Sequence, residues 1–493
     1  MHVVVKNYQD LDNNIEVNLL IREVEAELPE ELKAFQAELT KEDKVGIRTL
    51  RMAEGDLLKE LVVLSLEKKN CDVYKIQKEF DGLMSALKAL KKDEISGIIG
   101  KEVCDEKYVQ FVRTLMLLDN KFDQHIKTGY KNILEKEDDE EDKKSPELTL
   151  YLSADEVDTI QHEAESLAKA TAAARELVNQ PANVVTPTVL AERAVELGKE
   201  CGFEVEVKGA KEIQELGMHA YWAVAKGSDE EPQFIIMHYK NNPKSDKTLA
   251  LVGKGLCYDS GGYDIKPGEG MRTMNCDMGG SAAVIGAMSA LAREKAEVNV
   301  VALVAACENM ISGHAYRNGD IIDSLAGKSI EIMSTDAEGR LTLADAVTYA
   351  WKHEKVDAIA DIATLTGAVV RALSTLYTGV ISDNEQLWNM LEDASQSCGD
   401  LVWRFPIHED YEAKNESFRA DICNSGKGGA GSITAGLFVR AFANQVPFIH
   451  LDIAGTAYDE AGSKRAPKGA SGVGAEMLYY FAKNYFSDAF QEE

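Results

Sequence analysis

The stretch TLALVGKGLCYDSGGYDIKPG, Thr248 to Gly268, starts as an apolar β-rich run and ends in glycines and charge. Its front reads as a buried strand, which Lys254 and Asp259 leave, with Lys266 seven residues beyond Asp259. Downstream lies a helical run, GSAAVIGAMSALAREK (280–295), and then another apolar strand, VNVVALVAAC (298–307). The alternation extends in both directions. PQFIIMHY (232–239), SIEIMS (329–334), VDAIADIATL (356–365) and PFIHLDIAG (447–455) read as strands, and TLADAVTYAWKHEK (342–355) and SITAGLFVRAFANQ (432–445) as helices. Uniformly apolar strands alternating with helices predict an α/β domain with a mostly parallel central sheet covered by helices on both faces. In such sheets, ligands bind beyond the C-terminal ends of the strands, so the chemistry is expected there.

The first third has a different texture, Lys/Glu-rich with few glycines, and is expected to form a smaller N-terminal α/β domain. LKELVVLSLE (58–67) reads as a strand and KIQKEFDGLMSALKALK (75–91) as one amphipathic helix. The charge block at 135–148 predicts an exposed loop or hinge. Ser153 and Glu156 form a capping-box pattern ahead of a helical run from Val157 to Asn179, and Thr186 with Pro187 starts a second helix. The first of these helices is expected to link the domains, with boundaries at 1–170 and 171–493.

Composition narrows the function. The chain of 493 residues is 45% hydrophobic and 28% charged, ordinary for a soluble globular protein. No run approaches the roughly 20 apolar residues of a membrane span, and the N-terminus has no secretory-signal pattern. The eight cysteines are scattered without a C-x-x-C pair, which predicts free thiols in a reducing, cytoplasmic compartment. A net charge of −29, from 83 acids against 54 bases, repels phosphate backbones and argues against nucleic acid as a partner.

Charge gathers at the predicted strand ends. MNCDMGG places Asp277 before a glycine pair and a helix, and STDAEGRL supplies Asp336, Glu338 and Arg340. Each Asp before a helix could be no more than an N-cap. If Asp259, Asp277, Asp336 and Glu338 converge, however, four negative charges cannot share a buried site unaided. Two divalent cations would balance them, and oxygen-rich ligation suits magnesium, manganese or zinc. A two-metal centre is equipment for hydrolysis. Other signatures are missing from the sequence: no H-E-x-x-H, no G-x-S-x-G and no G-x-x-x-x-G-K-[ST].

At these residues the sequence resembles the leucyl aminopeptidase (cytosol aminopeptidase) family of two-metal exopeptidases. STDAEGRL is similar to the family's NTDAEGRL, and VGKGLCYDSGG, CDMGG, ENMISGHAYRNGD, DIATLTGA and HLDIAGTA match family segments in order, across roughly residues 170 to 485. The resemblance implies that Asp259 and Glu338 bridge two ions, that Lys254 and Asp277 hold the tighter one, and that Asp336 holds the more exchangeable one. It implies zinc or manganese, with magnesium and cobalt as further candidates. Lys266 is then expected to stabilise the oxyanion, and Arg340 to hold a bicarbonate ion that serves as general base. Met274, Thr364, Leu365, Gly367, Ala454 and Ala457 match the lining of the family's pocket for the first side chain, which suggests leucine or another uncharged residue. Short peptides as substrates and a homohexamer are implied as well. Ser334, LCY before Asp259 and YD before Ile265 depart from the family pattern, but none replaces a presumed ligand. Rival readings are a dipeptidase restricted to Cys-Gly-like substrates and a regulatory protein on the same scaffold.

Overall fold

The computed structural model describes residues 1–12, 14–39, 43–54, 57–69, 72–125, 145–463 and 465–490. Most of the predicted hinge at 135–148 lies outside them. The chain divides into two compact units, Met1–Ala168 with Gly462–Pro467, and Lys169–Ala461 with Lys468–Glu493.

The first unit is built on a six-stranded sheet of β1 (Val3–Asn7), β2 (Val17–Glu23), β3 (Gly46–Glu54), β4 (Leu57–Leu66), β5 (Glu94–Ile99) and β6 (Glu147–Leu152), in the order β1-β6-β5-β2-β4-β3. All pairings are parallel except the edge pair β3–β4. Because side chains alternate along a strand, Leu19, Ile21, Val62 and Leu64 pack on one face with Ile76, Phe80, Leu83 and Phe111. Leu20, Leu61 and Val63 pack on the other with Leu28, Leu32 and Phe35. The run predicted as one helix at 75–91 is two, α1 (Val73–Glu79) and α2 (Leu83–Ala89). The first ends at Glu79 with Phe80 as its C-cap, and Gly82, the N-cap of the second, takes a left-handed φ of 84° that turns the chain between them. A third helix, α3 (Tyr108–Leu117), follows.

The helix predicted from Val157 to Asn179 is present over that range as α4. It begins at Val157, so the Ser153/Glu156 pattern precedes it instead of capping it. In α5 (Pro187–Cys201), Thr186 accepts from Val189 N and Pro187 opens the helix, as the sequence predicts.

The second unit holds an eight-stranded sheet: β7 (Glu204–Lys208), β8 (Gln233–Lys240), β9 (Leu249–Asp259), β10 (Asn299–Asn309), β11 (Ala358–Ala363), β12 (Thr378–Ile381), β13 (Val402–Arg404) and β14 (Phe448–Asp452). The spatial order is β13-β12-β14-β11-β9-β10-β8-β7. Its centre, β14-β11-β9-β10, is parallel throughout. The mostly parallel, helix-covered α/β architecture expected from the alternation is therefore present. SIEIMS is the exception. Only Ile330–Glu331 forms a strand, and it belongs to a separate three-stranded sheet.

Helices α6 (Gly279–Arg293) and α7 (Gly339–Lys352) pack on β9 from opposite faces. Leu341, Leu343 and Val347 of α7 join Ala250, Val252 and Leu256 in one core cluster. On the other face, a Cβ at Gly253 would lie 2.7 Å from Gly280 O, and one at Gly280 would lie 2.1 Å from Ile362 O. Only glycine allows α6 to start this close to the sheet.

Six cysteines are free thiols: Cys201, Cys257, Cys276, Cys307, Cys398 and Cys423. Cys104 is disulfide-bonded, which corrects the expectation of eight free thiols; Cys71 lies outside the described residues. No helix among the described residues is long and apolar enough to cross a membrane.

Candidate metal centre

The parallel strands of the second unit deliver polar groups at their C-terminal ends. Asp259 ends β9, Asn309 ends β10, Thr364 follows β11 and Asp452 ends β14. Asp277 sits in the single turn Met274–Met278 that leads into α6, and Glu338 occupies the N-cap of α7 with Arg340 two residues on.

Two lysines join the acids into one cluster. Lys254 Nζ lies 2.8 Å from Asp277 Oδ1, 2.9 Å from Glu338 Oε1 and 2.9 Å from Thr364 O. Lys266 Nζ lies 2.8 Å from Asp259 Oδ2 and 2.6 Å from Asp336 Oδ1. Asp259, Asp336 and Glu338 each offer an oxygen within 4.8 Å of the others, while Asp277 is joined to them through Lys254. Helix α7 approaches so closely that a Cβ at Gly339 would lie 2.4 Å from Lys254 Cε. The side chains of Asp259 and Glu338 are only 2% exposed, against 37% for Asp336, so the cluster has a dry inner part and one carboxylate open to solvent.

Burial, reinforced by mutual repulsion, pushes Asp259, Asp277 and Asp336 above the usual carboxylate range. In Glu338 burial is outweighed by Lys254 and Lys266, and its pKa falls. Burial opposes charge on both lysines as well, but the surrounding carboxylates outweigh it and raise them. For Lys254 and Asp277 burial and pairing thus pull in opposite directions, and the 2.8 Å contact supports the ion-paired form.

The cluster fits divalent cations. Its donors are carboxylate oxygens, and Glu338 Oε2 is buried with no hydrogen-bond partner. Arg340 fits an anion. Its Nη1 donates to Asn424 O at 2.7 Å, while Nε is buried without a partner. Burial lowers the pKa of this guanidinium, against Glu338 and Asp452, which favour its charge.

The supporting residues were harder to foresee. Asn309 Nδ2 donates to Asp259 Oδ1 (2.8 Å) and to Thr335 O (3.0 Å). Asn424 accepts from the amides of Met333 and Ser334 and donates to Ser334 O. Asp452 accepts from Leu365 N, Thr366 N, Thr366 Oγ1 and Ala454 N, tying the loop after β11 to the loop after β14. Both segments carry residues of the expected side-chain pocket. Thr364 Oγ1 donates to Asp277 Oδ1 at 2.8 Å, and a Cβ at Gly279 would lie 3.3 Å from both Thr364 Cγ2 and Ala457 Cβ. Thr364 and Ala457 therefore flank one spot beside Asp277. Leu365 and Ala454 are partly buried and share Asp452, and Gly367 is exposed at the start of the next helix. Met274 is partly buried in the turn that carries Asp277.

This arrangement is accompanied by a match over residues 172–479 to the catalytic domain of the cytosol aminopeptidase family. The chain belongs to that family. It is accordingly a metal-dependent aminopeptidase, a peptide hydrolase of the leucyl aminopeptidase type. Relatives described as "Probable cytosol aminopeptidase" include one from Clostridium tetani, 49% identical over 389 residues, covering 79% of this chain and 76% of the relative. One from Clostridium perfringens is 50% identical over 321 residues, 65% of each chain. A third, from Treponema denticola, is 52% identical over 321 residues, 65% of this chain and 67% of the relative.

Proposed function

We propose that the chain releases N-terminal leucine or another uncharged residue from short peptides by two-metal hydrolysis in the cytoplasm. The observation that carries this is the carboxylate trio of Asp259, Asp336 and Glu338, within 4.8 Å of one another, with Asp277 joined to it through Lys254. Asp259 and Glu338 would bridge two divalent ions, zinc or manganese. Lys254, once the proton of its ion-paired ammonium is displaced, would complete the inner site with Asp277, and Asp336 the solvent-facing one. Bound there, the ions supply Lewis-acid polarisation and a water of lowered pKa.

The protein's own groups do the rest. Asp336 is the exposed carboxylate of the trio, and the solvent-facing ion it would hold would take the substrate's free α-amine, which favours a free N-terminus. Lys266 places a cation at the open side of the cluster, where negative charge develops on the scissile carbonyl oxygen. Arg340 would hold bicarbonate as the proton acceptor, its unpartnered Nε being the donor that favours an anion. Thr364, Leu365, Gly367, Met274, Ala454 and Ala457 would line the first side-chain pocket, whose apolar and small members suit an aliphatic group. The catalytic region is taken as 171–493 and the N-terminal domain as 1–170, assembled as a homohexamer.

A substrate panel tests the specificity. Leucyl- and methionyl-amides are expected to be cleaved fastest, aspartyl-amide poorly and N-acetyl-leucyl-amide not at all. Equal cleavage of the acetylated compound would contradict the role given to Asp336, and activity confined to Cys-Gly would replace the broad reading with that of a restricted dipeptidase.

A further inference from the structure

Tyr263 and Ile265, which flank Asp264 in the loop leading to Lys266, are 48% and 59% exposed. Burial of its own apolar side chains therefore does not hold this loop in place. Lys266 has a flexible stem, and its placement depends on where the loop backbone sits.

Asp264, two residues before Lys266, gathers donors from two other segments. Asn318 Nδ2 lies 3.0 Å from Oδ1 and 2.9 Å from Oδ2. Ser334 Oγ donates to Oδ2 at 2.8 Å and Thr335 N at 3.0 Å. The Asp264 amide donates in turn to Thr335 Oγ1 at 2.8 Å, and that hydroxyl donates to Gly261 O at 2.8 Å. Ser334 Oγ also accepts from Asp336 N at 3.2 Å, which continues the chain of bonds to a member of the carboxylate trio. There is little slack: a Cβ at Gly261 would lie 2.5 Å from Asp264 O and 2.8 Å from Asp336 Oδ1.

Two of the departures from the family pattern thus touch each other, since Ser334 bonds to Asp264. We infer that Asp264, stapled by Asn318, Ser334 and Thr335, is a positioning residue that sets the separation of Lys266 from Asp336. The inference rests on the aminopeptidase reading of those two residues. It assigns Asp264 no contact with substrate.

A double-mutant cycle tests it, because the staple has a direction: Asp264 accepts and Asn318 donates. Asp264→Asn turns an amide N–H₂ towards the Asn318 amide or gives up an acceptor. Asn318→Asp sets two carboxylates against each other. Together the changes restore a donor–acceptor pair with the roles exchanged. On leucyl-amide with both metals loaded, each single variant is expected to lose about tenfold in kcat with KM nearly unchanged, the scale set by small misplacements of reacting groups. Manganese titration of stripped protein should show one of two sites weakened. The double variant should recover most of both losses, a non-additivity that simple destabilisation does not produce. Ser334→Ala removes only the relay hydroxyl, and should lower kcat in the same direction without lowering Tm, which covers the case of a single variant that misfolds. Single variants with wild-type kcat and manganese binding, or a double variant whose losses merely add, would overturn the inference. An unmodified protein without metal-dependent hydrolysis would overturn the aminopeptidase reading instead, while the manganese titration would still report on the staple.

Discussion

Glu338→Ala is expected to yield a folded protein that retains neither its full complement of metal nor measurable peptide hydrolysis. Glu338 is the one carboxylate that belongs both to the trio with Asp259 and Asp336 and to the pair of acids around Lys254. Removing it breaks both halves of the cluster. The fold is expected to survive, because Lys254 keeps Asp277 and Thr364 O as partners and so is not left as an uncompensated buried charge. Elemental analysis of the dialysed variant, with circular dichroism as the check on folding, measures the effect. Retention of two ions per chain would remove Glu338 from the bridging role.

Lys266→Ala is expected to behave in the opposite way towards metal. Its ammonium contacts Asp259 and Asp336, so deleting it leaves that pair more negative and should preserve or strengthen cation binding. Turnover is nevertheless expected to fall by roughly 10²–10³, the usual cost of removing one group that stabilises the developing oxyanion. KM should change far less than kcat, because the charge that Lys266 meets exists mainly in the transition state. Metal loss equal to that of Glu338→Ala would show that the two residues do not have separate roles.

The contrast between these variants reflects what was legible in the sequence. The central strands announced themselves because both faces of the sheet are covered, which leaves runs such as VNVVALVAAC without polar alternation. The acids of the cluster were visible because they sit in glycine-rich turns at the ends of those runs. SIEIMS was misplaced, since a short apolar run says nothing about which sheet it joins. Its Ile330 and Glu331 pair with Ile422 and Cys423, some ninety positions away. The helix at 75–91 was overextended because its apolar spacing continues across Gly82, while the backbone turns there. Asn424 lay outside every matching segment, and Asn309 and Asp452, though inside ENMISGHAYRNGD and HLDIAGTA, had no role that local spacing could assign. Their partners include backbone groups of segments distant in the chain, and no local spacing encodes such pairings. Asp264 and Ser334 stood out only as departures from a family pattern, and their mutual hydrogen bond gives those departures a shared physical content.

The most direct test of the whole account is a stoichiometric titration of stripped protein with manganese or zinc, following leucyl-amide hydrolysis and bound metal together. No hydrolysis is expected before metal is added, and activity should rise until two ions are bound per chain and level off only there. Full activity in protein shown by elemental analysis to be metal-free, or a plateau at one ion per chain, would contradict this expectation.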